Sequence, residues 1–244
     1  MNQILVTEKI YVTPELRRKK KIYKILFILS IFLIISLCSV YIYAEYERNK
    51  QESISKDILM FLEQPEEDDT TIGSYENALV VLVTQDTTTN NDSEEENIIK
   101  TATATSTYTA PDGQTYETIG TINIPKINVN YPIFAETTDA LLKKSICKFH
   151  GANPNEIGNL CLVGHNYRNT KFFSKVPTLV MGDVIEIKDL SQRTIQYEVY
   201  DMHTVDPSDT KDTTQYTNGR KEVTLITCTD DSEQRVIVKC KEKK

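Results

Sequence analysis

A chain of 244 residues with 35 acidic against 28 basic side chains carries a formal net charge of −7 and a sequence pI near 5.2, which argues against nucleic acid as a partner. Its five cysteines cannot all pair with one another, and a domain of well over ~100 residues can bury a core without a disulfide framework. Any cysteine–histidine or metal site must draw on the three histidines, His150, His165 and His203.

Taken in chain order, the first feature is Ile25 to Ala44, ILFILSIFLIISLCSVYIYA, which contains no charged residue. At ~1.5 Å per residue it reaches about 30 Å, the thickness of a hydrocarbon core. Arg17, Arg18, Lys19, Lys20, Lys21 and Lys24 precede it, so residues 1–24 are expected to stay in the cytoplasm. Tyr41, Tyr43 and Tyr46 fit an aromatic belt at the outer interface. The small-x-small ending of a cleaved signal peptide is missing, and residues 25–44 therefore read as an uncleaved, single-pass anchor with the rest of the chain outside.

The run EYERNKQESISKDILMFL from Glu45 to Leu62 suits a helix continuing out of the membrane, which Pro65 and the acidic residues Glu66 to Asp69 would stop. Asn77 to Thr84, NALVVLVT, is an apolar island suited to a strand or a docking segment. From Gln85 to Asp112 the Thr-, Asn- and Glu-rich composition predicts a solvated linker. Residues 45–116 thus read as a stalk, which holds most of the acidic excess, and 117–244 as the folded domain.

In that domain short apolar runs alternate with turns. Strands are predicted at Thr118–Ile124, Asn128–Phe134, Asn159–Gly164, Val184–Ile187, Ile195–Val205, Glu222–Cys228 and Arg235–Lys239, with helical character at Asp139–Lys144 and Asn169–Val176. The fold class is mostly β, a largely antiparallel barrel or sandwich with short helices.

His165 stands at the exit of an apolar strand in NLCLVGHNYRN, where side chains leave the core. Cys228 occupies the same kind of position in EVTLITCTDD, with Val223, Leu225 and Thr227 on one face of the run and the thiol on the other. A short polar connection leads from it to Arg235 at the head of the next strand. A thiol, an imidazole and a guanidinium so placed could carry acyl transfer: the thiolate attacks a carbonyl, the imidazole handles the proton, and the cation stabilises the oxyanion. The pairs Cys147-x2-His150 and Cys161-x3-His165 offer a competing zinc-like spacing. Cys147 and Cys161 otherwise read as core residues, with a disulfide the lesser option. Cys240, in KCKEKK, reads as an exposed thiol or a partner of one of them, and His150 and His203 as surface or turn residues.

TLITC at Thr224 to Cys228, followed by an arginine opening the next strand in QRVIVK, resembles the TLxTC motif and arginine of the sortases, membrane-anchored cysteine transpeptidases of Gram-positive bacteria. LVGHN at Leu162 to Asn166, FFSKVPTLVMGDVIEI at Phe172 to Ile187 and IGTINIPKINVNYPIF at Ile119 to Phe134 resemble further segments of that family in the same order. The resemblance implies an eight-stranded sortase β-barrel, with Cys228 as nucleophile, His165 as general acid, Arg235 as substrate-orienting and oxyanion-stabilising cation, and Thr227 lining the oxyanion site. It implies cleavage of an LPxTG-like sorting signal between Thr and Gly, with transfer of the surface protein to an amine of lipid II or peptidoglycan. No cofactor or metal is implied, and calcium dependence is left open. The short Cys228-to-Arg235 link resembles class D members, and the DP-aromatic lid motif of class C is missing. The competing reading is a catalytically inactive, membrane-tethered β-domain that binds a wall or surface partner.

Overall fold

The computed structural model describes residues 14–63, 104–111 and 113–244. The apolar island Asn77–Thr84 and most of the expected linker lie outside the described residues. The chain divides into two units, Met1–Lys50 and Gln51–Lys244. In the first, helix α1 (Pro14–Glu63) begins, and its apolar stretch is long and apolar enough to cross a membrane by length and composition, with its large side chains exposed all round. This is a candidate span, the pattern expected where lipid is the solvent.

The second unit opens with the end of α1, Gln51–Glu63. This part is amphipathic: Ser55 and Ile58 are buried, and Ile54 and Leu62 partly buried, the i, i+3/i+4 spacing of a helix that packs on one face. Nine strands follow: β1 Ser106–Thr109, β2 Thr115–Ile124, β3 Val129–Phe134, β4 Ile146–Gly151, β5 Gly158–Val163, β6 Val184–Asp189, β7 Thr194–Val205, β8 Lys221–Cys228 and β9 Arg235–Glu242. They form one sheet in the order β1-β2-β3-β4-β5-β8-β9-β7-β6, and β2 pairs again with β6. Strands β2 to β9 therefore close into an eight-stranded barrel, with β1 added to the first half of β2. A bulge between Thr118 and Gly120 separates the half of β2 that pairs with β1 from the half that pairs with β6. A Cβ on Gly120 would stand 2.3 Å from the Lys188 carbonyl oxygen, and its φ of +152° suits glycine.

Pairing is antiparallel except for β3–β4 and β5–β8. Inward residues of alternating strands, among them Ile122, Ile133, Leu160, Leu162, Ile187, Leu225 and Val238, fill the barrel. A second apolar cluster gathers Ile58 of α1 with Ala110, Tyr116, Phe134 and Cys147.

The predicted strands all form, with edges shifted by a few residues. A short helix α2 (Asp139–Leu142) stands where helical character was expected, its N-terminus capped by the Thr138 hydroxyl, which accepts from the Leu141 N–H at 3.2 Å. The second expected helix, Asn169–Val176, is instead a run of turns ending in a 3-10 turn at Val176–Thr178. Asn169 Oδ1 accepts from the Lys171 N–H at 2.8 Å and from the Ser174 hydroxyl at 3.2 Å, and Phe172 adopts a left-handed φ of 49°. Such local side-chain bonds compete with helical ones. Cys240 also departs from expectation: it alternates inward on β9 and lies fully buried in the barrel core.

Candidate active site

The site is built by three adjacent strands, β5, β8 and β9. The parallel register of β5 and β8 matches Val163 with Ile226, and the Gly164 N–H continues the ladder to the Ile226 carbonyl at 3.1 Å. Two residues past that match stand His165 and Cys228, at the same level on strands that run roughly 4.8 Å apart. On the other side β9 pairs antiparallel with β8 so that Cys228 and Arg235 lie directly opposite. Imidazole, thiol and guanidinium therefore occupy one end of the barrel on consecutive strands, and all three residues are half-buried.

Gly164 makes this approach possible. A Cβ there would lie 2.6 Å from Ile146 Cδ1 and 2.9 Å from the Phe173 ring, both side chains being fully buried. Immediately beside it Thr227, only 1% exposed, donates its hydroxyl to the Gly164 carbonyl at 2.9 Å. Thr227, which the resemblance places beside the oxyanion site, uses its side chain to tie the ends of β5 and β8 together.

The two loops that flank the site are cross-linked by hydrogen bonds. Asn166 Nδ2 donates to the Cys228 carbonyl at 2.9 Å and to Asp230 Oδ1 at 3.0 Å, and Arg168 donates to the Ser232 hydroxyl at 3.3 Å. Asn166 was legible only as the residue after His165, with no sign in the sequence that it would hold the Cys228 backbone. The β8–β9 connection is fixed internally by Thr229, whose N–H donates to the Gln234 carbonyl at 3.1 Å and whose hydroxyl donates to Asp231. Among the described residues Arg235 forms no salt bridge with Asp230, Asp231 or Glu233, and its guanidinium donates to the Gln234 carbonyl at 3.2 Å.

His165 packs its ring against Tyr167 at 5.0 Å between centroids, and its carbonyl accepts from the Phe173 N–H at 3.1 Å. Burial holds its pKa below the ordinary 6.5; Lys143 acts in the same direction and Asp139 opposes. Burial thus favours the neutral form of the imidazole.

The other sulfur and imidazole groups are elsewhere. Cys147 belongs to the cluster around Ile58, while the Cys161 thiol points to the Asn159 carbonyl at 3.7 Å. Burial pushes both thiols up to about 12. His150 is exposed on β4, and His203 on β7 lies between Asp201 at 3.2 Å and Asp212 at 2.9 Å. Among the described residues no three His, Cys, Asp or Glu side chains converge as a metal site. A cavity of about 440 Å³ opens at the opposite end of β5 and β8, lined among others by Gln215, Tyr216 and Ile157, away from Cys228.

A half-buried thiol at the end of a closed barrel, with an imidazole on one neighbouring strand and a guanidinium on the other, could support acyl transfer through a thioester. The family profile described as the sortase domain matches residues 122–243. Similar solved structures include a sortase D5 transpeptidase from Clostridium perfringens, 35% identical over 52% of this chain and 79% of that one, with a TM-score of 0.48. Sortase C-1 from Actinomyces oris is 30% identical over 51% of this chain and 73% of that one, TM-score 0.47. Sortase A from Corynebacterium diphtheriae is 27% identical over 53% and 62%, TM-score 0.49. No curated protein matches the chain. The chain belongs to the sortase family, and in general terms it is a sortase-type cysteine transpeptidase.

Proposed function

We propose that this enzyme cleaves an LPxTG-like sorting signal between Thr and Gly and joins the released surface protein to an amine of lipid II or peptidoglycan, acting outside the cell from an N-terminal membrane anchor. The observation that carries this reading is the alignment of His165, Cys228 and Arg235 on consecutive strands at one end of the barrel.

The chemistry follows from this juxtaposition of thiol, imidazole and guanidinium. As Cys228 Sγ forms its bond to the threonyl carbonyl carbon, His165 takes the thiol proton, and the oxyanion that develops is stabilised by Arg235. Collapse of the tetrahedral species breaks the C–N bond, and His165 returns its proton to the departing glycyl amine. The acceptor amine then attacks the thioester, its proton passing through His165 to the sulfur as the C–S bond breaks. Thr227 and Asn166 contribute by holding the ends of β5 and β8 in place.

The test is mass spectrometry of the full chain in detergent micelles, mixed with a panel of LPxTG-like peptides and an amine acceptor. An acyl adduct on Cys228, with a transpeptidation product that disappears in Cys228→Ala, is expected. A folded, reduced protein that forms no adduct with any peptide would overturn the reading in favour of a tethered binding domain.

A further inference from the structure

The end of α1 reaches the loop that carries His165. Glu52 accepts a hydrogen bond from the Tyr131 hydroxyl at 2.8 Å and pairs with Lys171 at 3.0 Å, and the Glu52 and Lys171 side chains are only 14% and 11% exposed. Burial alone would raise the Glu52 carboxyl, but the Tyr131 and Lys171 contacts prevail and hold it below the usual carboxylate value.

From these partners two routes lead to His165. Lys171 lies in the turn that follows the histidine and adjoins Phe172 and Phe173, and the Phe173 N–H donates to the His165 carbonyl at 3.1 Å. The second route is a series of rings: Tyr131 meets Phe172 at 5.0 Å, Phe172 meets Tyr167 at 5.7 Å, and Tyr167 meets His165 at 5.0 Å. The same helical segment grips the other flank. Ser55 donates to the Lys144 carbonyl, and Gln51 Oε1 accepts from Lys144 Nζ at 2.9 Å, next to Lys143, whose charge acts on His165.

We infer that Glu52 is a positioning residue for His165: its ion pair with Lys171 and its hydrogen bond from Tyr131 set the turn and the ring series that fix the imidazole opposite Cys228. The inference rests on the reading of His165 as the proton carrier. On this view the buried face of the helical turns that precede the barrel supports the site, and activity depends on its remaining docked. The coupling is physical and local, a chain of packed groups ending on the His165 ring.

The experiment uses the full chain in detergent micelles with isotope-labelled histidine. With only three histidines in the sequence, the spectrum is assigned by His150→Gln and His203→Gln. Glu52→Ala is expected to shift and broaden the His165 imidazole signals and change their titration, and to lower kcat roughly 10- to 100-fold while KM stays within about twofold, as for a misplaced catalytic group. Lys171→Met is expected to do the same, and the double variant to be no worse than either single one, because the two residues act as a unit. Glu52→Gln, which keeps an acceptor for Tyr131, serves if the alanine variant fails to fold, and its effect on the same signals is expected to be smaller but in the same direction. Met60→Ala, exposed on the same segment, is the control without effect. A lowered melting temperature with unchanged His165 signals and unchanged kcat would overturn the proposal. A wild-type chain that transfers no acyl group, yet whose His165 signals respond to Glu52→Ala, would sink the catalytic reading while leaving the coupling intact.

Discussion

Thr227→Val separates two roles for one hydroxyl. Valine has the outline of threonine, so the substitution opens no cavity; it removes the hydrogen bond to the Gly164 carbonyl at 2.9 Å in a residue only 1% exposed. Losing a buried hydrogen bond and leaving its acceptor without that partner costs about 1–3 kcal/mol. For a protein of this size each kcal/mol lowers Tm by about 2–4 °C, so the expected fall is about 2–12 °C. The chain has 13 tyrosines and no tryptophan, so the near-UV tyrosine band in circular dichroism is the natural probe. Because the bond joins the residues that immediately precede His165 and Cys228, kcat is expected to fall as well, and Thr227→Ser, which keeps the hydroxyl, to retain most of both. An unchanged Tm with a collapsed kcat would refute this reasoning and return the hydroxyl to the oxyanion site.

Gly164→Ala forces a methyl against the Phe173 ring and Ile146, an overpacking cost of about 1–3 kcal/mol that should appear both in Tm and in kcat; a variant as stable and active as wild type would contradict the close approach. Ile58→Ala tests whether the end of α1 is packed: Ile58 is 0% exposed, and its truncation should cost about 2–5 kcal/mol, whereas a solvent-facing stalk residue would show almost no shift on thermal melting. The pH dependence has a definite sign. With the folded pKa of His165 depressed below 6.5, the unfolded chain binds its proton first, so this contribution to stability is full above 6.5 and is lost as pH falls through the lower folded value. The acid limb of kcat/KM should likewise lie below 6.5, and a limb above it in the pH–rate profile would rule out a neutral resting imidazole.

The barrel strands were legible where alternation was strong, as in VTLITC, whose Val223, Leu225 and Thr227 face inward as their period-two spacing requires. Strand β4 was not, because ICKFHG buries only its first residues and its exposed half reads as polar turn. Strand β1, STYT, was hidden in a threonine-rich stretch and owes its pairing to β2. The positions of His165, Cys228 and Arg235 at strand ends could be read from local pattern. What brings them together is register between strands far apart in sequence, which pattern alone does not give. Cys240 was misjudged for a related reason: its neighbours are lysines, yet a lysine-flanked residue on a strand still points inward every second position. Glu52, Lys171 and Tyr131 gave no signal at all, since a charged residue on a helix reads as solvated until a partner is found for it.

The thiols of Cys147, Cys161 and Cys240 are fully buried and pushed up by that burial, while Cys38 lies in the apolar stretch of α1. Among the described residues Cys228 is thus the one barrel thiol that a charged alkylating reagent can reach, and its modification would count accessible thiols one by one. The same asymmetry means that peroxide would oxidise Cys228 before the buried thiols while the fold stayed whole, and a reductant acting on the sulfenic acid would restore the free thiol.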